Sequence, residues 1–354
     1  MPYRRVCLEG LGYVLPAERV SSATLEARLE PLYDRLRLPV GRLELMTGIR
    51  ERRFFPPGTL PSQVSVSSAS LALQASGLDP REIGALVHGS VCRDHLEPAT
   101  SCSVHHALGL GPECHLFDVS NACLGILTGV LQIANMIELG QIRAGIAVGA
   151  ELGRNLVETT IERLNADAGL TRQGVKPYLA SLTIGSASAA IVVCDAELSR
   201  TQTRLIDAAT LAATQHHRLC QSEGLTDFMR TDSEALLHAG VRAAEENFAR
   251  LLGQIGGSRE RIDKTICHQV GAAHRRRLLE ALGLDPRRDF STFENLGNTG
   301  AAALPTALAQ AAENGWLANG DRLALLGIGS GINCQMLAID WQATPVRGAV
   351  FGGC

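Results

Sequence analysis

Residues 117–127 read Phe-Asp-Val-Ser-Asn-Ala-Cys-Leu-Gly-Ile-Leu, a short apolar run that passes through small residues into a longer apolar segment. This pattern predicts a strand that leads into a helix, with Cys123 at the start of the helix. The positive end of the helix dipole and the unpaired backbone N–H groups there favour the thiolate. We therefore expect Cys123 to be a nucleophile, although an isolated cysteine is more often a buried core residue.

The same order of segments occurs twice along the chain. Its clearest matches are His106-Ala-Leu-Gly-Leu-Gly-Pro112 with Glu280-Ala-Leu-Gly-Leu-Asp-Pro286, and Gln141-Ile-Arg-Ala-Gly-Ile-Ala-Val-Gly149 with Gly320-Asp-Arg-Leu-Ala-Leu-Leu-Gly-Ile-Gly329. Short apolar runs alternate with helical patterns, which predicts duplicated βαβ units in mainly parallel sheets. The predicted fold class is α/β, with an internal duplication and five layers in the order αβαβα. The predicted halves are residues 1–200 and 201–354.

Composition argues against several classes of function. The formal net charge of -3 and the aromatic content of 4% give no basis for binding nucleic acid. The longest apolar stretch, residues 123–137, contains polar residues and is shorter than the roughly 20 residues of a membrane span. The ten cysteines include no CxxC pair and no metal-ligand spacing, and no secretory signal opens the chain. We expect a cytoplasmic protein with reduced thiols, no membrane span, no metal and no cofactor.

Two polar residues follow apolar stretches in the second half. His268 comes after Thr265-Ile-Cys and precedes Gln-Val-Gly, and Asn298 lies in Asn295-Leu-Gly-Asn-Thr-Gly. A neutral imidazole at a strand end can donate to a thioester carbonyl or relay a proton, and the Asn298 amide can donate to the same oxygen. Each residue also has a structural interpretation, as a satisfied core histidine and as a turn or helix cap.

The glycine-rich segment Gly327-Ile-Gly-Ser-Gly-Ile-Asn333 lacks the GxGxxG spacing of a dinucleotide loop. It predicts a close-approach turn, or a turn needed only for packing. In the first case, the backbone N–H of Ser330 joins that of Cys123 in an oxyanion hole.

Two further features have both an ordinary structural interpretation and a functional one. Glu97 precedes a proline and is an ordinary exposed carboxylate, unless a closed apolar site raises its pKa and makes it a base. The basic run at residues 274–277 is a solvated helix face, or a contact for an acidic carrier protein or for coenzyme A phosphates.

Four segments together resemble the thiolase superfamily, in its ketoacyl synthase III branch. They are Asp118-Val-Ser-Asn-Ala-Cys123, His268-Gln-Val-Gly271, Asn295-Leu-Gly-Asn-Thr-Gly-Ala-Ala-Ala-Leu-Pro305 and the glycine-rich end. They match the cysteine, histidine, asparagine and glycine elements of the family in order, over essentially the whole chain. The resemblance implies the five-layered thiolase fold, a homodimer, and acyl transfer from a thioester to Cys123.

Three more segments look like the members of this superfamily that join two fatty acyl-CoA molecules head to head. These are Leu29-Glu-Pro-Leu-Tyr-Asp-Arg-Leu36, Ser90-Val-Cys-Arg-Asp-His-Leu-Glu-Pro98 and Leu325-Leu-Gly-Ile-Gly-Ser-Gly-Ile-Asn-Cys334. The resemblance implies a Claisen condensation without decarboxylation to a 2-alkyl-3-ketoacid, at the start of olefin biosynthesis. It also implies that Glu97 enters the active site of the neighbouring subunit and removes the α-proton of the second acyl-CoA. Arg53 lies in an early motif of the family near the coenzyme A entrance. Together with Arg275 and Arg276, it is a candidate for contact with coenzyme A or a carrier protein.

Other reactions stay open, because the asparagine segment resembles the synthases that initiate fatty-acid synthesis more closely. One alternative is a decarboxylating β-ketoacyl synthase III that uses acyl-CoA and malonyl-carrier protein, in which Glu97 is dispensable. A second is acyl transfer to an oxygen or nitrogen acceptor. A third is a catalytically silent subunit that supports an active paralogue, which the complete Cys-His-Asn set argues against. Acyl carrier protein and downstream enzymes of the pathway are candidate partners.

Overall fold

The computed structural model describes residues 2–223 and 228–352. The strands are β1 (Val6–Pro16), β2 (Glu18–Ser21), β3 (Glu51–Phe54), β4 (Ile83–Gly89), β5 (His115–Val119), β6 (Ala144–Glu151), β7 (Ala187–Asp195), β8 (Arg204–Ala212), β9 (Cys220–Glu223), β10 (Phe228–Thr231), β11 (Lys264–Cys267), β12 (Arg322–Gly329), β13 (Asn333–Asp340) and β14 (Val346–Phe351). The helices are α1 (Ser22–Arg28), α2 (Glu30–Leu36), α3 (Arg42–Thr47), α4 (Pro61–Ser76), α5 (Thr100–Leu108), α6 (Gly125–Glu138), α7 (Arg154–Ala166), α8 (Arg172–Val175), α9 (Ser233–Gln254), α10 (Ala272–Leu282), α11 (Phe293–Leu296) and α12 (Ala303–Glu313).

The main sheet follows the order β11-β12-β13-β8-β1-β7-β6-β4-β5, with β14 beside β1. Strands β8 and β1 are paired through one residue pair, Cys7 with Arg204, so the sheet divides there into two halves. In the first half β4 pairs in parallel with β5 and β6, and in the second β11 pairs in parallel with β12. These parallel pairs are the strand–helix–strand units that the duplicated sequence predicts. The prediction of mainly parallel sheets is wrong, because β7 pairs antiparallel with β1 and β6, and β13 pairs antiparallel with β8 and β12.

The predicted boundary at residue 200 falls between β7 and β8. The division of the chain into two domains at this point stays a prediction. The last segment, which the sequence leaves unassigned, forms β14 and pairs in parallel with β1, so by its pairing it joins the first half.

Helices cover both half-sheets and also fill the space between them. Helices α4 and α5 pack on the outer face of the first half, where Ala69, Ala72 and Val104 are fully buried. Helices α6 and α12 lie between the halves in the largest core cluster, and α9 and α10 cover the outer face of the second half. The resulting order is αβαβα, as predicted. Each large aliphatic side chain buried in this way contributes roughly 1.5–3 kcal/mol.

Helices α1, α2, α7 and part of the 3-10 segment Lys176–Thr183 form a smaller apolar cluster beside the first half. Residues 158–176, which are rich in polar side chains, therefore pack against the early helices through Ile161, Leu164 and Val175. Within the described residues, no helix has the length and apolar character needed to cross a membrane.

Candidate active site

Cys123 lies on the 3-10 turn Ala122–Leu124, between β5 and α6. Ala122 has a φ of 45°, in the left-handed region, so the chain turns sharply just before the cysteine. Asn121 fixes this turn: its Nδ2 donates to Thr128 Oγ1 at 2.9 Å, and its Oδ1 accepts from Asn333 Nδ2 at 2.9 Å. The predicted position of Cys123, between a strand and a helix, is confirmed.

Two glycines let α6 approach β4 closely. A Cβ atom built on Gly125 would lie 2.6 Å from the carbonyl carbon of Gly89, which real Cβ atoms essentially never do. Gly125 is the first residue of α6, so this contact sets the position of the turn that carries Cys123. A side chain at either glycine would push the nucleophile away from the sheet.

The glycine-rich end packs directly on the same turn. A Cβ atom on Gly327 would lie 2.7 Å from Leu124 Cδ2, and one on Gly329 would lie 3.1 Å from Leu124 Cγ. Behind these glycines, the backbone N–H groups of Ser330 and of Cys123 itself interact with the Cys123 sulfur and lower the pKa of its thiol. These are the two groups that the sequence predicts as oxyanion-hole donors, and that role stays a prediction.

The expectation that the helix start makes Cys123 a ready thiolate is wrong for the unliganded protein. Burial, followed by the negative charge of Glu151 and the nearby Cys220, raises the pKa of Cys123 to about 12. The hydrogen bonds from the Cys123 and Ser330 N–H groups lower the pKa but do not outweigh burial. The thiol is therefore protonated at neutral pH, and it must lose its proton as it attacks.

His268 follows β11 and is buried, with 4% of its surface exposed. Its backbone N–H donates to Leu326 O at 3.0 Å, which keeps it beside β12. Burial, and to a lesser extent the nearby His274, lowers the pKa of His268 to about 3. Its Nδ1 has no hydrogen-bond partner among the described residues. The imidazole is thus neutral at physiological pH, as a proton acceptor or hydrogen-bond donor to substrate requires.

An ion pair supports β11, the strand that directly precedes His268. Arg275 Nε donates to Asp289 Oδ2 at 2.6 Å, and Asp289 Oδ1 accepts from the Cys267 N–H at 3.1 Å and the Thr265 hydroxyl at 3.0 Å. Asp289 was missed in the sequence, where an aspartate after an arginine pair gives no sign that it is buried. Because it binds the residue just before His268, it orients the imidazole indirectly.

Asn298 lies between α11 and the 3-10 turn Gly300–Ala302. Its backbone N–H donates to Thr183 O at 2.9 Å, and its carbonyl accepts from the Gly185 N–H at 2.9 Å. The side-chain Oδ1 accepts from the Gly300 N–H at 3.0 Å. Since the amide oxygen is already bonded, the NH2 group is the part of the side chain available to donate to a substrate oxygen.

Glu151 ends β6 and was also missed in the sequence. It is 5% exposed, and its Oε1 accepts from the Val91 N–H at 3.0 Å and the Ala301 N–H at 3.2 Å. Burial raises its pKa, although these hydrogen bonds lower it. The available signal was a charged residue at the end of an otherwise apolar strand, which is the same signal that identifies His268.

Glu97 lies in residues 90–99, the loop that connects β4 to α5, and its peptide bond to Pro98 is cis. The residue is exposed, and Leu96 beside it is 99% exposed. The structure of one chain therefore brings Cys123 and Ser330 together and buries His268, but it leaves Glu97 on the surface. Its predicted role as a base stays a prediction.

The three predicted coenzyme A contacts have different environments. Arg53 Nη1 donates to Pro16 O at 3.1 Å, and burial lowers its pKa. Arg275 is bonded to Asp289, whereas the side chain of Arg276 is 67% exposed and lies 4.0 Å from Glu280. Arg53 and Arg275 are thus engaged inside the fold and Arg276 reaches solvent; contact with coenzyme A stays a prediction for each.

Known proteins are similar to this sequence over 96% of the chain. Residues 252–341 match the family model described as 3-Oxoacyl-[acyl-carrier-protein (ACP)] synthase III C terminal. Over 352 residues the chain is 45% identical to the acyl-CoA:acyl-CoA alkyltransferase of Shewanella oneidensis, covering 96% of this chain and 100% of that relative. The chain belongs to the acyl-CoA:acyl-CoA alkyltransferase family. This confirms the resemblance to the thiolase superfamily and its ketoacyl synthase III branch, and it identifies the protein as an acyltransferase.

Solved structures of relatives agree with the fold. A crystal structure of a cysteine-to-alanine variant of Xanthomonas campestris OleA has a TM-score of 0.92 at 34% identity, and covers 96% of this chain and 98% of that one. A protein from Xanthomonas oryzae described as 3-oxoacyl-(acyl carrier protein) synthase III has a TM-score of 0.92 at 35% identity, with 96% and 100% covered. The thiolase-type α/β fold is therefore confirmed over nearly the whole chain.

Proposed function

We propose that this protein joins two long-chain fatty acyl-CoA molecules head to head, by Claisen condensation without decarboxylation, to a 2-alkyl-3-ketoacid that enters olefin biosynthesis. The observation that carries the proposal is the 45% identity, over 96% of this chain, to a protein named acyl-CoA:acyl-CoA alkyltransferase. The half-buried Cys123 with its two N–H donors and the neutral His268 support it. The reaction needs a nucleophile, an oxyanion hole, a base and an enolate-binding pair, so it calls for no metal or cofactor.

The first step transfers an acyl group from coenzyme A to Cys123. As the thiol attacks the thioester carbonyl, His268 takes its proton, because the imidazole is neutral and the thiol is not ionised in advance. The N–H groups of Cys123 and Ser330 bind the tetrahedral oxyanion. When the intermediate collapses, coenzyme A leaves as the thiol with the proton from His268, and the acyl-Cys123 thioester remains.

The second step forms the carbon–carbon bond. A base removes the α-proton of the second acyl-CoA, and Glu97 is the carboxylate proposed for this task. His268 and the Asn298 NH2 group donate to the enolate oxygen, which they bind more strongly as its negative charge develops. The enolate carbon then attacks the acyl-Cys123 carbonyl, and Cys123 leaves as the thiolate. The α-proton that the base removed returns to the Cys123 thiolate, which restores the thiol and the base. Hydrolysis of the coenzyme A thioester releases the 2-alkyl-3-ketoacid.

The proposal includes a homodimer in which Glu97 serves the neighbouring active site. Glu97 lies on an exposed loop with Val91, which is 55% exposed, and Leu96, which is 99% exposed. Strand β5 is the last strand of its half-sheet, and Phe117 on it is 37% exposed. An unpaired sheet edge beside exposed apolar side chains favours contact with another chain.

Solved structures of a relative include substitutions at the same three residue types as Cys123, His268 and Glu97. Xanthomonas campestris OleA has been crystallised with substitutions at a cysteine, a histidine and a glutamate. In that protein the substituted glutamate precedes the cysteine by the same number of residues as Glu97 precedes Cys123 here. Because the nucleophile must stay a reduced thiol, a cytoplasmic location is also part of the proposal.

A second candidate function is a decarboxylating synthase that uses malonyl-carrier protein. The match to the synthase III family model and the name of the Xanthomonas oryzae protein favour it. In that reaction, loss of carbon dioxide produces the enolate, so no base is needed and Glu97 is dispensable.

The test supplies the purified full-length protein with myristoyl-CoA alone, and then with malonyl-carrier protein. We expect a long-chain ketone from myristoyl-CoA alone, since a free β-ketoacid loses carbon dioxide. Glu97→Ala is expected to lose ketone formation but to keep the gain of one acyl group on Cys123 in mass spectrometry. Product formed only with the malonyl donor would replace this proposal by the second candidate. Full ketone formation by Glu97→Ala from myristoyl-CoA alone would instead show that Glu97 is not the base.

A further inference from the structure

Glu151 connects two segments that are far apart in the sequence. One carboxylate oxygen, Oε1, accepts from the Val91 N–H at 3.0 Å and from the Ala301 N–H at 3.2 Å. The side chain is 5% exposed, and Cys92 also hydrogen-bonds to the carboxylate through its thiol and its N–H. A buried carboxylate that binds backbone N–H groups of two loops holds both loops to the end of β6.

Each of these loops carries a residue of the second step. Val91 lies at the start of the loop that contains Glu97, and Ala301 lies three residues after Asn298. A further hydrogen bond fixes the turn that carries Asn298, because the Gly300 N–H donates to Asn298 Oδ1 at 3.0 Å. A continuous series of hydrogen bonds therefore connects the start of the Glu97 loop, through Glu151, to the turn that carries Asn298.

The contact between Glu151 and the turn leaves no room for adjustment. A Cβ atom on Gly300 would lie 2.9 Å from Glu151 Cγ, and Gly300 has a φ of 54°. Glycine is thus required here both for the backbone conformation and for the close approach of the carboxylate. On the other side, Ser90 Oγ donates to Ala150 O at 2.5 Å and accepts from the Cys92 N–H at 3.0 Å, so the start of the Glu97 loop lies against the end of β6.

We infer that Glu151 is a positioning residue for carbon–carbon bond formation, which holds the loop of Glu97 and the turn of Asn298 in one rigid unit. The inference rests on the proposed function, in which Glu97 is the base and Asn298 binds the enolate. If Glu97 serves the neighbouring subunit, the Glu151 carboxylate also links the enolate-binding residue of one site to the base of the other. A displacement of about 1 Å at either residue is enough to slow a reaction by roughly 10²-fold.

Acylation of Cys123 does not depend on this connection. Neither Glu97 nor Asn298 takes part in the first step, and the charge of Glu151 raises the pKa of Cys123 rather than lowering it. Loss of the connection is therefore expected to separate the two steps: condensation slows, while acylation is unchanged or faster. A residue with a merely structural role would slow both.

Three substitutions test the inference. Glu151→Gln keeps one side-chain oxygen to accept both N–H groups and removes the charge, so condensation is expected to stay within about threefold of wild type. Glu151→Met has nearly the same length but no acceptor, and we expect condensation to fall about 10- to 100-fold. Glu151→Asp withdraws the carboxylate by one methylene and replaces Glu151→Met if that variant does not fold. Acylation is read from the mass gain on Cys123, condensation from ketone formed from myristoyl-CoA, and folding from thermal unfolding.

Amide hydrogen exchange tests the connection without substrate. In Glu151→Met or Glu151→Asp, the N–H groups of Val91 and Ala301 are expected to exchange at least about tenfold faster, while Glu151→Gln keeps their protection. Unchanged exchange at both N–H groups would overturn the inference, and so would equal slowing of acylation and condensation in a folded variant. If wild-type protein forms no ketone from myristoyl-CoA, the proposed function fails, whereas the exchange result still decides whether Glu151 joins the two loops.

Discussion

Arg275 and Asp289 form an ion pair, with 2.6 Å between Nε and Oδ2, beside β11, the strand that directly precedes His268. The Asp289 side chain is fully buried, while the Arg275 side chain is 24% exposed. The pair anchors the backbone of Cys267 and the hydroxyl of Thr265. The basic run of α10 thus contributes to the orientation of His268 through one of its arginines, in addition to any contact with substrate.

Arg275→Met is expected to destabilise the protein by about 3 kcal/mol, because it leaves the Asp289 carboxylate buried without its cation. Urea unfolding measures the loss. The matched control is Arg276→Met, one residue along the helix, which removes an exposed charge and should change the free energy of unfolding by less than about 0.5 kcal/mol. Equal losses of unfolding free energy for the two substitutions would show that the ion pair between Arg275 and Asp289 contributes no more to stability than an exposed charge.

Gly125→Ala is expected to impair both folding and acylation. The added Cβ would meet the Gly89 backbone at 2.6 Å, and neither backbone has a flexible side chain that can move aside. Forced repacking of this kind typically costs about 1–3 kcal/mol. The control is Gly253→Ala in α9, an exposed position where a Cβ meets nothing within 4 Å, and where alanine should be neutral or stabilising. Acylation of Cys123 and thermal unfolding are the measurements; a Gly125→Ala protein with wild-type values for both would contradict the close contact.

Alkylation of Cys123 by iodoacetamide should rise about tenfold for each pH unit from 7 to 9. The pKa of the thiol is about 12, so the thiolate fraction increases throughout this range without reaching a plateau. Mass spectrometry of the peptide that contains Cys123 gives the rate and separates this thiol from the other cysteines. Saturation near pH 8.5 would indicate an ordinary, solvated cysteine.

Acid should destabilise the protein through its buried histidines. Burial lowers the pKa of His268 to about 3, so below pH 6.5 the unfolded chain binds a proton that the folded chain does not. The free energy of unfolding therefore decreases as the pH falls from about 6.5 towards 3, by roughly 2 kcal/mol between pH 6.5 and 5 for this residue. His268→Asn should show a smaller decrease over this range in urea unfolding. His217→Asn, at an exposed position, is the control that should follow wild type.

Mixed dimers test the proposed exchange of Glu97 between subunits. A Cys123→Ala subunit paired with a Glu97→Ala subunit contains one complete site if Glu97 acts on its neighbour, and none if it acts within its own chain. Random mixing of equal amounts should then restore about a quarter of wild-type condensation, because half of the dimers are mixed and each has one working site. Each variant alone should be inactive. No recovery in a mixture shown to exchange subunits would place Glu97 in its own site or outside the reaction.

The sequence predicts the parts of this site that depend on local pattern. Cys123, His268 and Ser330 follow apolar strands, and parallel strands that end at one edge bring such residues together. Glu151 and Asp289 were not predicted, because their partners lie tens to hundreds of residues away in the sequence. Glu151 carried one local signal, its place at the end of an apolar strand, and Asp289 carried none. The pKa of Cys123 was predicted in the wrong direction for the same reason: the dipole is a local property, and burial depends on the whole fold.

The pairing of β14 with β1 also bears on how the molecule is made. Thr344 Oγ1 donates to Leu8 O at 2.9 Å, a contact between residues 336 positions apart, and β14 follows immediately. During synthesis β1 leaves the ribosome long before β14, so it lacks this neighbour until residues 346–351 have been made. We therefore expect the central sheet of the nascent polypeptide to stay incomplete over a long interval, in which chaperones can bind the unpaired edge of β1.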